Sequence, residues 1–243
     1  MNLIKLDAID STNTYLKQLV ARLQPADYTV VLTDHQTSGR GQMGTVWEAQ
    51  PGKNLTFSLY KRVSRLDTEK QFYISMVISL AVYDALQSLS IPSLKIKWPN
   101  DILSANFKVG GILIENILRN GRISAAIIGV GLNLNQTEFP GLVSASSLKK
   151  ITGVHYVREE VLYKIIDRFR HYVPWVVNQE FDQVQELYES RLFRKDKPST
   201  FKDSEGRLFM GFIKGVDEAG RLKVLLEDEV LKTFDLKEIT LLY

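Results

Sequence analysis

Four polar islands stand where apolar runs end: Ser11-Thr12-Asn13, Gln36 with Gly39-Arg40-Gly41, Lys97-Trp98-Pro99-Asn100-Asp101, and Lys108-Val109-Gly110-Gly111. Their hydroxyls, amides, isolated cations and glycines are the types that hold a polar, anionic ligand. Singly they have ordinary explanations: the first as a helix cap, the third as a strand stopped by proline, and Lys108 as a solvated strand end. Together they say more, because Lys108 stands just ahead of paired glycines in an otherwise apolar run. That puts one cation where a ligand can approach the backbone closely. Gly129-Val130-Gly131-Leu132-Asn133-Leu134-Asn135 closes the next apolar run with more glycine and two amides.

Gly39-Arg40-Gly41-Gln42-Met43-Gly44 also fits G-x-G-x-x-G, the dinucleotide-binding fingerprint. That mechanism needs a helix to start at the third glycine, and the residues after Gly44 have no helical period. The segment is better read as a glycine-rich loop whose amides could curl around an anion, with Arg40 inside it.

The elements that must position these groups follow from periodicity. Residues 3–9 alternate as a strand, and Asp10-Ser11-Thr12 offers caps to a helix carrying Tyr15, Leu16, Leu19, Val20 and Leu23 on one face. Strands are expected at 28–33 and 55–60, with a long polar loop over 34–54 between them. Asp67 is placed to cap a buried helix running through Phe72, Ile74, Val77, Ile78, Ala81, Val82, Ala85 and Leu89. After a strand at 94–98, the runs 109–118 and 122–132 flank Asn120-Gly121, a strong hairpin signal, and are apolar enough to lie mid-sheet. Helices are expected over 158–177 and 181–193, broken near Pro174 and Asn178. Beyond a basic stretch at 191–202, short strands at 208–214, 222–226 and 231–236 are spaced as in a small β-barrel.

The fold class expected is α/β of the α+β type: a mixed β-sheet backed by helices over residues 1–195, then a small C-terminal SH3-like β-barrel over 196–243. The absence of cysteine excludes disulfides, cysteine-based metal sites and thiol nucleophiles, and the three histidines lack metal-ligand spacing. The balance of 31 Lys+Arg against 28 Asp+Glu gives +3, too little to argue for nucleic acid. The start lacks a signal-type segment, and the longest apolar stretch, 125–132, is far below the ~20 residues of a membrane span. A soluble cytoplasmic protein is therefore expected, with no membrane and no nucleic-acid partner.

In order, spacing and residue type, these motifs resemble the biotin protein ligases, also called biotin–acetyl-CoA-carboxylase ligases. The carriers are Ser11-Thr12-Asn13, residues 36–41 with Trp47, Lys97 to Asp101, Lys108 to Glu115, and Gly129 to Asn133. The resemblance implies a class II synthetase-like catalytic domain and a two-step reaction. Biotin's carboxylate attacks the α-phosphorus of ATP to give biotinyl-5′-AMP and pyrophosphate, and a lysine of a biotin carboxyl carrier domain then attacks the anhydride. Lys108 and Arg40 would be catalytic, with Mg2+ arriving on ATP and Asp101 as a metal contact. Ser11, Thr12, Asn13, Gln36, Gly39, Arg40, Gly41, Gln42, Lys108, Gly110 and Gly111 would form the biotin site. Arg40, Trp47, Asn100, Asp101, Lys108 and Asn133 would face ATP. Residues 38–50 would close over the adenylate with Trp47 as a seal, although Gln42 stands where many relatives have a second arginine.

A lipoate–protein ligase is the alternative, set back because the polar cluster suits a ureido head better than a dithiolane. Thioester-forming octanoyl transferases are excluded by the missing cysteine. Ten residues ahead of Ser11 cannot hold the DNA-binding domain that some relatives carry, so a monofunctional ligase is expected. Relatives commonly dimerise, which leaves a homodimer open. The basic stretch 191–202 could steer an acidic carrier domain.

Overall fold

A computed structural model describes all 243 residues, with residues 64 and 65 described by their backbone only. The chain begins β1 (Asn2–Ile9), α1 (Thr12–Leu23), β2 (Thr29–Gln36), β3 (Leu55–Leu66) and α2 (Phe72–Gln87). It continues β4 (Leu94–Lys97), β5 (Asp101–Ser104), β6 (Phe107–Arg119), β7 (Arg122–Leu132), α3 (Leu148–Thr152), α4 (Arg158–Val177) and α5 (Phe181–Ser190). Five short strands follow: β8 (Pro198–Asp203), β9 (Leu208–Val216), β10 (Leu222–Leu226), β11 (Leu231–Phe234) and β12 (Ile239–Leu242).

The first seven strands form one mixed sheet in the order β1-β2-β3-β7-β6-β5-β4, parallel only between β1 and β2. The expected β6–β7 hairpin lies mid-sheet, its turn made by Asn120 at φ 52° and Gly121 at φ 73°. Alternation gives the sheet two unlike faces. Val30, Leu32, Phe57, Ile112, Ala126, Ile128 and Val130 face α2 and α4 in the main core. Val31, Tyr60, Ala125 and Ile127 pack under α1 with Leu16. Further along that second face β7 carries Gly129 and Gly131 instead of apolar side chains, and a cavity opens there.

Several expectations change. Asp67 precedes a three-residue turn at Thr68–Lys70 and makes no side-chain cap; it pairs with Arg122 at 3.3 Å. Pro174 lies inside α4, where it leaves the Arg170 carbonyl without a helical N–H donor but does not end the helix, and the break falls at Asn178–Glu180, with Gln179 at φ 62°. The second helix stops at Ser190. The short runs 101–104, 198–203 and 239–242 are strands that the sequence reading did not expect.

The C-terminal strands form an antiparallel sheet in the order β11-β10-β9-β8-β12, consistent with an SH3-like unit. Among the described residues no ladder joins β12 to β11, so the expected barrel is not closed. This sheet does not have a core of its own: Phe201, Ile213, Val216, Leu222, Val224 and Phe234 belong to the same buried cluster as α2, α4 and α5. Trp98 Nε1 donates to the Gly220 carbonyl at 2.8 Å, and Gln185 Nε2 to that of Val216 at 2.9 Å. The Val216 amide donates to Glu189 at 3.0 Å.

Candidate active site

The cavity encloses about 310 Å³ between the N-terminus of α1, the loop after β2, and the ends of β3, β5, β6 and β7. Ser11 caps α1, its hydroxyl accepting from the Thr14 amide at 3.4 Å, so the next two side chains project from the helix start into the cavity. Gln36 Oε1 accepts from the Thr12 amide at 2.9 Å and the Thr12 hydroxyl at 3.0 Å. Ser58 Oγ lies 2.7 Å from Thr12 Oγ1 and 2.5 Å from Asn13 Oδ1, and its single proton serves one of the two at a time. Asn13 Nδ2 donates to Glu115 at 2.9 Å. This end of the cavity is thus lined by buried, uncharged donors and acceptors held in fixed orientations. Gly129 is part of that arrangement, since a Cβ there would come within 2.5 Å of Asn13 Oδ1.

The other end is charged. Opposite β5, Ile102 pairs with Gly110 and Leu103 with Lys108, so Val109 is an extra residue. The resulting bulge reverses the alternation locally. Val109 turns into the main core, and Lys108 joins Gly111 and Leu113 on the cavity face, with Glu115 further along the same side of β6. Lys108 Nζ pairs with Asp101 at 2.7 Å, and Lys97 approaches the same carboxylate at 3.9 Å. Burial lowers the pKa of Lys97, partly offset by Asp101. Asn100, in the three-residue turn between β4 and β5, donates to the Ile112 carbonyl at 2.7 Å and accepts from the Ile112 amide, which seats that turn on β6.

The loop 37–54 lies across the groove. Arg40 bridges to Val46, the Gly41 amide donates to Thr45 O and the Trp47 amide to Gly39 O. Those two amides are spent within the loop and are not free for an anion. Gly44 ends a short turn and opens no helix, as the rejection of the dinucleotide fingerprint required. The Trp47 indole rests on β6 and β7: a Cβ on Gly131 would lie 2.4 Å from Trp47 Cε2, and Lys108 Nζ stands 5.9 Å from the ring centre. Trp47 Nε1 is buried without a protein partner.

Of the residues singled out from sequence, Ser11, Thr12, Asn13, Gln36, Arg40, Gly41, Gln42, Trp47, Asn100, Asp101, Lys108 and Gly111 line this one cavity. Three do not. Gly39 allows close passage of the loop, since a Cβ would fall 2.2 Å from Trp47 O, and Gly110 packs against Leu132. Asn133 is buried, and its Nδ2 donates to the Ser146 carbonyl at 3.0 Å, holding the segment after β7 rather than facing the cavity. Within that cavity the two cations have separate partners: Arg40 pairs with Glu115 at 3.1 Å and Lys108 with Asp101 at 2.7 Å. Sequence reasoning missed Ser58 as a site residue and gave Glu115 no role. The alternation Thr56-Phe57-Ser58-Leu59 was a signal that one face of β3 turns polar.

Residues 6–133 match the biotin/lipoate A/B protein ligase family. The bifunctional ligase/repressor BirA of Bacillus subtilis is 30% identical over 96% of this chain and 72% of its own length. The biotin–[acetyl-CoA-carboxylase] ligase of Paracoccus denitrificans is 29% identical over 88% of this chain and 90% of its own. Among solved structures, the biotin protein ligase from Aquifex aeolicus in complex with biotin and ATP superposes with a TM-score of 0.80 at 28% identity, covering 99% of this chain and 98% of that one.

Proposed function

The chain belongs to the biotin/lipoate A/B protein ligase family, and we propose that it activates biotin with ATP and transfers it to a lysine of a biotin carboxyl carrier domain. The observation that carries this reading is the polarity of one cavity: fixed, uncharged donors and acceptors at the α1 end, and Lys108 with Asp101 at the other. A ureido ring needs several hydrogen-bond partners and no charge, whereas the carboxylate on its tail needs a cation. Ser11, Thr12, Asn13 and Gln36, with Ser58 bracing Thr12 and Asn13 from behind, meet the first need and Lys108 the second.

In the first step a carboxylate oxygen attacks the α-phosphorus and pyrophosphate leaves. Lys108 offsets the repulsion between the two anions and the charge that builds in the transition state. Asn100 and the turn it seats border the nucleotide, and Trp47 closes the groove against water, which would hydrolyse the anhydride. In the second step a neutral lysine amine of the carrier attacks the acyl carbon and AMP leaves. Among the described residues no cluster of three acidic or histidine ligands exists, so the site fits a magnesium ion brought on the phosphates and met by Asp101 rather than a resident one. The ion would further neutralise the phosphates. The test is exchange of labelled pyrophosphate into ATP: biotin should support it and lipoate should not, and exchange driven by lipoate would overturn the reading.

A further inference from the structure

Both cations of the site are held by carboxylates, and the two carboxylates stand apart. Asp101 is in register with Gly111, while Glu115 lies further along β6, about 13 Å away at roughly 3.3 Å per residue. Glu115 accepts from Arg40 at 3.1 Å and from Asn13 at 2.9 Å through the same oxygen, and its other oxygen faces Lys17 at 3.6 Å. Arg40 therefore rests at the α1 end of the cavity, paired with Glu115. Asn100 and Asp101, the residues proposed to border the nucleotide, stand at the Lys108 end, so the phosphates belong there. To reach them Arg40 must leave Glu115. Its side chain is 46% exposed and its backbone is fixed by the Arg40–Val46 bridge, so the guanidinium can swing while the loop stays in place.

The geometry points to Glu115 as a positioning residue that competes with the nucleotide's phosphates for Arg40. This rests on the ligase reading for the identity of the anion. Glu115→Gln keeps an acceptor oxygen for Asn13 and removes only the charge, so it separates competition for Arg40 from support of Asn13. Affinity for the α,β-methylene analogue of ATP is measured by calorimetry in the wild type, Glu115→Gln, Arg40→Ala and the double variant, with biotin affinity measured alongside. Glu115→Gln should bind the analogue about two- to fivefold more tightly, the size of a partly exposed ion pair, with biotin affinity unchanged. With Arg40→Ala present, Glu115→Gln should have no further effect. Unchanged or weaker nucleotide binding in Glu115→Gln, a gain that persists without Arg40, or a change confined to biotin would each overturn the proposal. Failure of the ligase reading shows separately, as wild-type protein without biotin-dependent pyrophosphate exchange.

Discussion

Lys108 carries the site's charge at the reacting end, yet its removal should leave the fold intact, because its partner Asp101 keeps Lys97 at 3.9 Å. Lys108→Ala should lower biotin-dependent pyrophosphate exchange about 10²–10³-fold, the cost of losing a transition-state charge partner, with an unchanged melting curve. Gly131 is required by what lies on it: Gly131→Ala drives a Cβ into the Trp47 indole. Loss of bound adenylate to hydrolysis should rise in that variant, read as AMP released without carrier. Ser11, Thr12, Asn13, Gln36 and Lys108 were legible in the sequence because each interrupts an apolar pattern with a group that needs a partner. Ser58 and Glu115 were not, since each reads as an ordinary polar position on an alternating strand until its neighbours across the sheet are known. Asn133 has a structural partner that its sequence did not show, the Ser146 carbonyl.

The bulge at Val109 decides which way β6 presents its cation. Pairing register is a property of two strands, so the run Lys108-Val109-Gly110-Gly111 alone could not reveal that Val109 is the extra residue. Deleting Val109 should remove the bulge and leave Lys108 next to Gly110, still opposite Leu103 and on the cavity face, with the loss of one buried core side chain. The deletion variant should keep exchange activity while its melting temperature falls, and a loss of exchange as full as in Lys108→Ala would show that the bulge sets more than the side on which the lysine stands. The long strands β3, β6 and β7 and the helix α4 were readable from apolar periodicity. β5, β8 and β12 were not, because the four-residue runs Asp101-Ile102-Leu103-Ser104 and Ile239-Thr240-Leu241-Leu242 are too short to show a period, β8 mixes proline, lysine and aspartate, and these strands form where a neighbour supplies the ladder.

At the scale of the whole molecule the small sheet and the catalytic sheet share one core, so removing residues 196–243 would strip Trp98, Leu192 and α5 of their cover. A point change is the cleaner probe of their coupling. Trp98→Phe removes the hydrogen bond to Gly220 and should cost about 1 kcal/mol of stability, with biotin affinity retained, since the indole lies outside the biotin end of the cavity. Steering of a carrier by the basic stretch is narrower than its composition suggests. Arg191 stacks on Tyr83, Arg194 bonds Ser199 and Pro198, and Lys195 faces Glu189, which leaves Lys197 and Lys202 to act outward. Reversing both charges should raise KM for the carrier at low salt and not at high salt. The central claim, that one cavity holds biotin through both steps as an adenylate, is tested most directly by single turnover. Protein loaded with biotin and ATP is freed of unbound nucleotide and mixed with a biotin carrier domain. The account predicts that the carrier's lysine is biotinylated with release of AMP and without further ATP; transfer that demands fresh ATP, or none at all from the loaded protein, would contradict it.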